Sequence, residues 1–187
     1  MDRADRGRAG VADLTVSTVG HSNRDIDEFL RILQAHGIEH VVDVRTAPGS
    51  RRHPQFMGDE IARTLSEHEI EYVQLKELGG FRKPGPDSPN GAWRNESFHG
   101  YADYMQTPEF EAALNRLMEL AHDRNTAIMC SEAVPWRCHR SLIADALTVR
   151  GIPVRHLMSA RAANRHTLTS FASVDGERIT YPPPVGG

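Results

Sequence analysis

Cysteine is scarce in this sequence: two in 187 residues, at Cys130 and Cys138. Two thiols do not build the disulfide framework of a small secreted scaffold. A chain of this length buries a sizeable core without cross-links or a structural metal. Aromatic residues are few, at 6%. Charge of neither sign dominates, with 22 Lys and Arg against 25 Asp and Glu, a net of −3. No global basic field therefore draws the chain to nucleic acid, and any anion site has to be local. No apolar run reaches the roughly 18 residues of a membrane span, and the N-terminal MDRADRGRAG is polar. The expectation is a cytoplasmic protein, not membrane-associated, with its thiols reduced.

What the chain does contain is an alternation of strand and helix patterns. Hydrophobic residues make up 39% and charged ones 25%, the balance of a folded domain. Leu14–Val19 is β-branched and reads as a strand. Ile26, Phe29, Leu30 and Leu33 recur at helical spacing and stop at Gly37. Ile38–Val44 and Ile70–Leu75 are further strands, with a short helix around Ile61 and Leu65 between them. Residues 76–99 are dense in Gly, Pro, Asn and Ser, and a loop of that length suggests a lid or binding loop. Thr107-Pro108 is a helix cap with proline in the first turn. Thr126–Met129 is a fourth strand and Pro153–Leu157 a fifth, separated by a helix through Leu142, Ile143, Ala146 and Val149.

This order predicts an α/β fold: three layers, α/β/α, around a central, mostly parallel sheet of about five strands. The expected organisation is a flexible N-terminal arm at 1–13, a single α/β domain at 14–158, and a C-terminal extension at 159–187. That extension holds a possible hairpin at Asp175-Gly176 and ends in a loose tail.

In parallel sheets, ligands bind beyond the carboxyl ends of the strands. His21 and Ser22 follow the first strand. Asp43 and Arg45 close the second, with Ser50 in the loop beyond. Leu78-Gly79-Gly80 follows the third. Cys130 and Glu132 follow the fourth, and the stretch CSEAVPWRCHRS runs on through Cys138, His139, Arg140 and Ser141 into a helix start. All of these project from one edge if the strands are parallel. The helix start favours an anion through its N–H groups and dipole, and Arg140 is placed to grip phosphate or carboxylate in two-pronged fashion. Arg45 and Arg140 are expected to face one pocket.

Each residue also has a plainer reading. Arg140 suits a surface helix cap, and His21 a structural histidine. Cys130 suits core packing, because free cysteine is commonly buried. As nucleophiles, Cys130 and Cys138 both lie near candidate cations and a helix N-terminus, and His21, Glu132 or His139 is the candidate proton carrier. Cys130 and Arg137 are separated by six residues, one more than in the phosphatase signature. The two cysteines stand too far apart for a standard zinc pair, and no metal ligand is assigned. Trp93, Phe98, Tyr101 and Tyr104 are candidates for stacking on a base, although Tyr101 and Tyr104 at i, i+3 also suit a core helix face.

Together these residues resemble the bacterial and archaeal family called domain of unknown function 488. The likeness runs from about Thr15 to Leu157. It rests on TVGHS at 18–22, DVRTAPGS at 43–50, Phe56, LGG at 78–80, YADYM at 101–105, and MCSE with CHRS within 129–141. The resemblance implies an α/β fold with a polar site at these positions and supplies no reaction. The functional expectation is a Cys/His/Arg site for a phosphate-bearing small molecule or a nucleic-acid end, in a hydrolase or transferase with a cysteine nucleophile. A non-catalytic nucleotide or nucleic-acid sensor is the second reading, and a thiol redox or metal site the third. The sequence names no cofactor and no oligomeric state.

Overall fold

The computed structural model describes residues 14–185; the expected N-terminal arm and the last two residues lie outside that range. A six-stranded sheet forms the centre, in the order β3-β2-β4-β1-β5-β6. Its strands are β1 (Val16–Gly20), β2 (His40–Asp43), β3 (Glu71–Gln74), β4 (Thr126–Cys130), β5 (Val154–Ser159) and β6 (Ala162–Arg165). The first five are parallel, and β6 folds back antiparallel on β5. The sheet thus has one strand more than expected. Ala162–Arg165 carries no apolar alternation because both its faces are exposed, and the period-2 signal of a half-buried strand never arises.

Five helices cover the sheet: α1 (Ile26–Ala35), α2 (Gly58–Glu67), α3 (Glu96–Tyr104), α4 (Pro108–Ala121) and α5 (Arg140–Val149). Their apolar faces build two separate cores. Phe29, Ile32 and Leu33 of α1 and Ile61 and Leu65 of α2 pack with Val41, Ala127 and Met129. Tyr101 of α3, Leu114 and Leu117 of α4, and Leu142 and Ile143 of α5 pack with Val42, Ile128 and Cys130. Neighbouring sheet residues go to opposite cores, as strand alternation requires, and the result is the expected three layers. Helices α1 and α4 carry side-chain N-caps, of which the sequence indicated the one at Thr107. Asp25 accepts from Glu28 N at the start of α1, and Thr107 accepts from Phe110 N at the start of α4. Gly37 has φ +65°, the left-handed residue that ends α1.

The C-terminal segment joins the same fold. A hairpin of β7 (Ser173–Asp175) and β8 (Arg178–Thr180) turns at Gly176, φ +61°. Ile179 and Tyr181 are buried in the core of the α4–α5 face. Tyr181 opens the terminal YPPPVGG segment, the part of the extension expected to be a loose tail. Instead its ring packs 5.3 Å from Trp93, and its hydroxyl donates to Asp145 Oδ2 at 2.7 Å. Asp145 also accepts from His166 Nε2 at 2.8 Å, and His166 Nδ1 meets His156 Nε2 at 2.9 Å. Thr18 Oγ1 lies 2.7 Å from His156 Nδ1. This buried chain of bonds stitches the segment after residue 158 to β1, β5 and α5.

The long connection between β3 and α4 is also more ordered than its composition suggests. It opens with a 3-10 turn at Lys76–Leu78 and closes with α3. Between them Asp103 gathers Gly85 N, Ser88 Oγ and Asn90 Nδ2, and Asn90 is fully buried. These ties pin its middle against the body of the domain.

Candidate functional site

The carboxyl ends of β1, β2 and β4 lie level, with Gly20 opposite Cys130 and Asp43 opposite Met129. Pairing continues past the strand ends: His21 N donates to Cys130 O at 3.0 Å, Ser22 N to Ser131 O at 2.9 Å, and Val44 N to Met129 O at 3.0 Å. His21, Arg45 and Cys130 are thereby held side by side. A cavity of about 720 Å³ opens beyond this edge. Ser22 takes a left-handed backbone, φ +50°, at a cost on the order of 1–2 kcal/mol for a residue with a side chain. Gly20 is required by the same packing. A Cβ there would collide with the carbonyl of Glu132, so the 131–133 loop crosses β1 only because position 20 is glycine.

Both thiols line the cavity, Cys130 at 2% and Cys138 at 5% exposure. Their Sγ atoms lie 2.6 Å apart, and both cysteines are free. The two are electrostatically unlike. Burial pushes the Cys130 thiol well above its ordinary range. Burial opposes ionisation of Cys138 too, but hydrogen bonds from Cys130 and His139 and the nearness of His139 and Arg140 outweigh it, holding that thiol well below the usual range. Arg140 N also points at Cys138 Sγ, at 3.5 Å.

His139 is oriented by the sheet. Its Nε2 lies 3.1 Å from Val44 O, a carbonyl that can only accept, so Nε2 carries a proton. In the neutral ring Nδ1 is then the lone-pair nitrogen, and it faces Cys138 Sγ at 3.5 Å. The imidazole fits because Gly80 has no side chain: a Cβ there would stand 2.5 Å from His139 Nδ1.

His21 is built differently. Nδ1 donates to Ser22 O at 2.8 Å, and the remaining lone pair on Nε2 meets Arg45 Nη1 at 3.3 Å. The ring stacks on Phe56 with centroids 4.3 Å apart. Burial is the main cause that lowers its pKa to about 4. Arg45 in turn is committed to Asp43, with Nε and Nη2 on the carboxylate at 2.9 and 2.6 Å, and to Phe56 O at 2.7 Å. Tyr72 OH completes the cluster on Asp43 Oδ2. Asp43 is fully buried and does not line the cavity; it steers Arg45 rather than a histidine.

Arg140 does not share a pocket with Arg45. It is 1% exposed, absent from the cavity wall, and donates through Nη2 to Glu132 O at 2.7 Å and Ala133 O at 3.3 Å. Helical side chains lean toward the N-terminus, so an arginine in the first turn of α5 reaches back under the preceding loop. The arginine that does line the cavity from this loop is Arg137, held outward by the 3-10 turn Pro135–Arg137. Ser141 likewise turns inward, Oγ donating to Cys138 O at 3.0 Å, and Gly79 packs on Thr46. Ser22, Ser50, Gly80 and Glu132 do line the cavity, and Glu132 is its one carboxylate among the described residues.

Three residues given no site role by the sequence, Arg52, His53 and Arg137, also border the cavity. Of the four aromatic candidates only Phe98 does so, while Phe81, 84% exposed, stands at the rim. Tyr101 is fully buried, its hydroxyl donating to Leu78 O. Among the described residues no group of three or more His, Cys, Asp or Glu side chains is arranged to hold a metal ion. None of the helices described is long and apolar enough to cross a membrane.

The sequence matches the family model named Domain of unknown function DUF488 over residues 25–147. The chain belongs to this family. The matched span contains Arg45, Gly80, both cysteines and His139, so the cavity is built largely from family positions. No curated protein and no solved structure matches the chain.

Proposed function

We propose that this DUF488 protein binds a phosphate-bearing ligand, a nucleotide or a nucleic-acid end, at the carboxyl edge of its sheet, with Cys138 as nucleophile. The observation that carries the reading is the Cys138–His139 pair at the start of α5, in a cavity bordered by Arg45, Arg52 and Arg137 with a single opposing carboxylate. Arg45 is largely neutralised by Asp43, which leaves Arg52 and Arg137 as the cations for an incoming anion. Cys138 gives its proton to His139 Nδ1. Its sulfur then bonds to the electrophilic atom as the leaving group departs, and water or a second acceptor displaces the sulfur. Those outcomes are a hydrolase and a transferase respectively. His139 is the better proton acceptor of the two histidines, since the Nε2 lone pair of His21 already faces Arg45.

One observation favours a non-catalytic sensor instead, namely the burial of both sulfurs. A thiol titration separates the two. A catalyst has one cysteine alkylated by iodoacetamide with a midpoint below the usual thiol range, and a sensor has none. Binding is tested by calorimetric titration of wild type and Arg137→Ala with inorganic phosphate, mononucleotides and 5′-phosphorylated oligonucleotides. The expected result is saturable binding by at least one member, weakened in the variant. Failure of every member to bind, or equal binding by Arg137→Ala, refutes the ligand class.

A further inference from the structure

We infer that Cys138 and Cys130 are an attacking and a resolving thiol, which close to an intramolecular disulfide when a hydroperoxide enters the cavity. This stands on the two sulfurs and the groups beside them, needs no anion, and goes beyond the anion-binding reading. The Sγ atoms lie 2.6 Å apart, so covalent closure asks them to move by only about half an ångström. The loop between them is held in place from outside: Arg140 grips the carbonyls of Glu132 and Ala133, and Gly20 lets the loop lie tight on β1. Little rearrangement separates the two states.

The roles divide by environment. Cys138 has His139 Nδ1 and the backbone N–H of Arg140 beside its sulfur, and it faces the cavity at the start of α5. Cys130 ends β4, buried among apolar neighbours, which favours the protonated thiol. In the first step the Cys138 thiolate attacks the distal oxygen of the hydroperoxide. The S–O bond forms, the O–O bond breaks, and the leaving alkoxide or hydroxide takes a proton to become alcohol or water. In the second, Cys130 attacks the sulfenic sulfur. The S–S bond forms, the S–O bond breaks, and hydroxide leaves with the Cys130 proton as water. The two thiols supply two electrons and the peroxide is reduced by two; a dithiol reductant restores the pair by exchange. In the oxidised state Cys138 has no thiolate, so the proposed nucleophile is switched off.

The test exposes reduced wild-type protein to stoichiometric hydrogen peroxide, blocks residual thiols by alkylation, and maps non-reduced peptides by mass spectrometry. Both thiols should disappear together into one Cys130–Cys138 cross-link that a dithiol reverses. In Cys130→Ser, Cys138 should accumulate as a sulfenic acid trapped by a cyclic dione. In Cys138→Ser, oxidation should slow by roughly tenfold or more, because a buried protonated thiol is a poor nucleophile. Persistence of both thiols in excess peroxide, or sulfenic acid forming first on Cys130, overturns the proposal. Where a serine variant does not fold, wild type equilibrated in glutathione buffers of graded potential decides. A single transition involving both thiols supports the pair, and absence of the cross-link at every potential refutes it. No phosphate ligand is present in these assays, so their outcome is independent of the anion-binding reading.

Discussion

Replacing Arg140 should cost stability and leave ligand affinity to follow only through the loop. The change to make is Arg140→Met, which keeps most of the stem's volume and removes the guanidinium. Two bonds are lost, to Glu132 O at 2.7 Å and Ala133 O at 3.3 Å. Charge-assisted bonds are worth about 1.5–3 kcal/mol each. The shorter bond is worth about 2 and the longer, shared from the same Nη2, about 1 kcal/mol. Against this, Nε of Arg140 is buried with no partner, and removing that unsatisfied group returns about 1 kcal/mol. The net expectation is a loss of about 2 kcal/mol. Urea unfolding followed by far-ultraviolet circular dichroism measures it as a lower midpoint at unchanged slope. Arg137→Ala is the control: its exposed side chain lines the cavity, so it should unfold like wild type. A variant Arg140→Met that is as stable as wild type but weaker in binding phosphate or nucleotide would refute the assignment of Arg140 as a brace for the loop.

Three further outcomes are expected. Stability should fall on mild acidification, because burial lowers His21 and His156 to about 4 each; an unfolded histidine takes up a proton below about 6.5 that the folded site refuses, so stability is full above that pH and declines toward 4. From about pH 7 to about pH 5 each group removes about 2 kcal/mol, and His156→Gln should halve the decline in urea midpoint; a flat profile would show that neither ring is held neutral by the fold. Gly20→Ala should lower the urea midpoint severely or abolish folding, since its Cβ overlaps the Glu132 carbonyl, and a variant of wild-type stability would contradict the described loop path. Gly80→Ala should slow iodoacetamide alkylation of Cys138 with little change in melting temperature, because the added methyl displaces His139 from the sulfur; unchanged alkylation would remove His139 from the thiol's activation.

The gathering of the candidate residues at one sheet edge was legible because it follows from one topological fact. Parallel strands put all their carboxyl ends on one edge, and the strand patterns around Val19, Val42 and Ile128, alternating with helices, were strong enough to indicate a mostly parallel sheet, though not the order of its strands. His21, Arg45 and Cys130 therefore fell together without any knowledge of contacts. The two cores were legible for the same reason: Val41 and Val42, or Ile128 and Met129, alternate faces whatever the helices do. The strand β6 and the buried end at Tyr181 were not. Their signals are a single exposed ribbon and one aromatic among prolines; β6 is fixed by its pairing with β5, and Tyr181 by long-range bonds to Asp145 on α5 and Asn90 in the distant connection.

The choice among arginines shows the limit more sharply, because Arg137 and Arg140 stand three residues apart and face opposite ways. One turn of 3-10 helix ends at Arg137 and α5 begins at Arg140, so the backbone reverses its offset between them. Helical periodicity extrapolated back from Leu142 cannot see that break. The distinction is fixed by what the loop needs. Its carbonyls at Glu132 and Ala133 lie between β1 and α5, where an orphaned acceptor costs about 1–3 kcal/mol, and Arg140 is the side chain whose first-turn position reaches them. Satisfying the loop internally sends Arg140 inward and leaves Arg137 to the cavity. The same constraint sets Cys138 against Cys130 and His139 against Val44 O. A loop that must pair its own backbone thereby decides which arginine borders the cavity and sets the two thiols of its lining against each other.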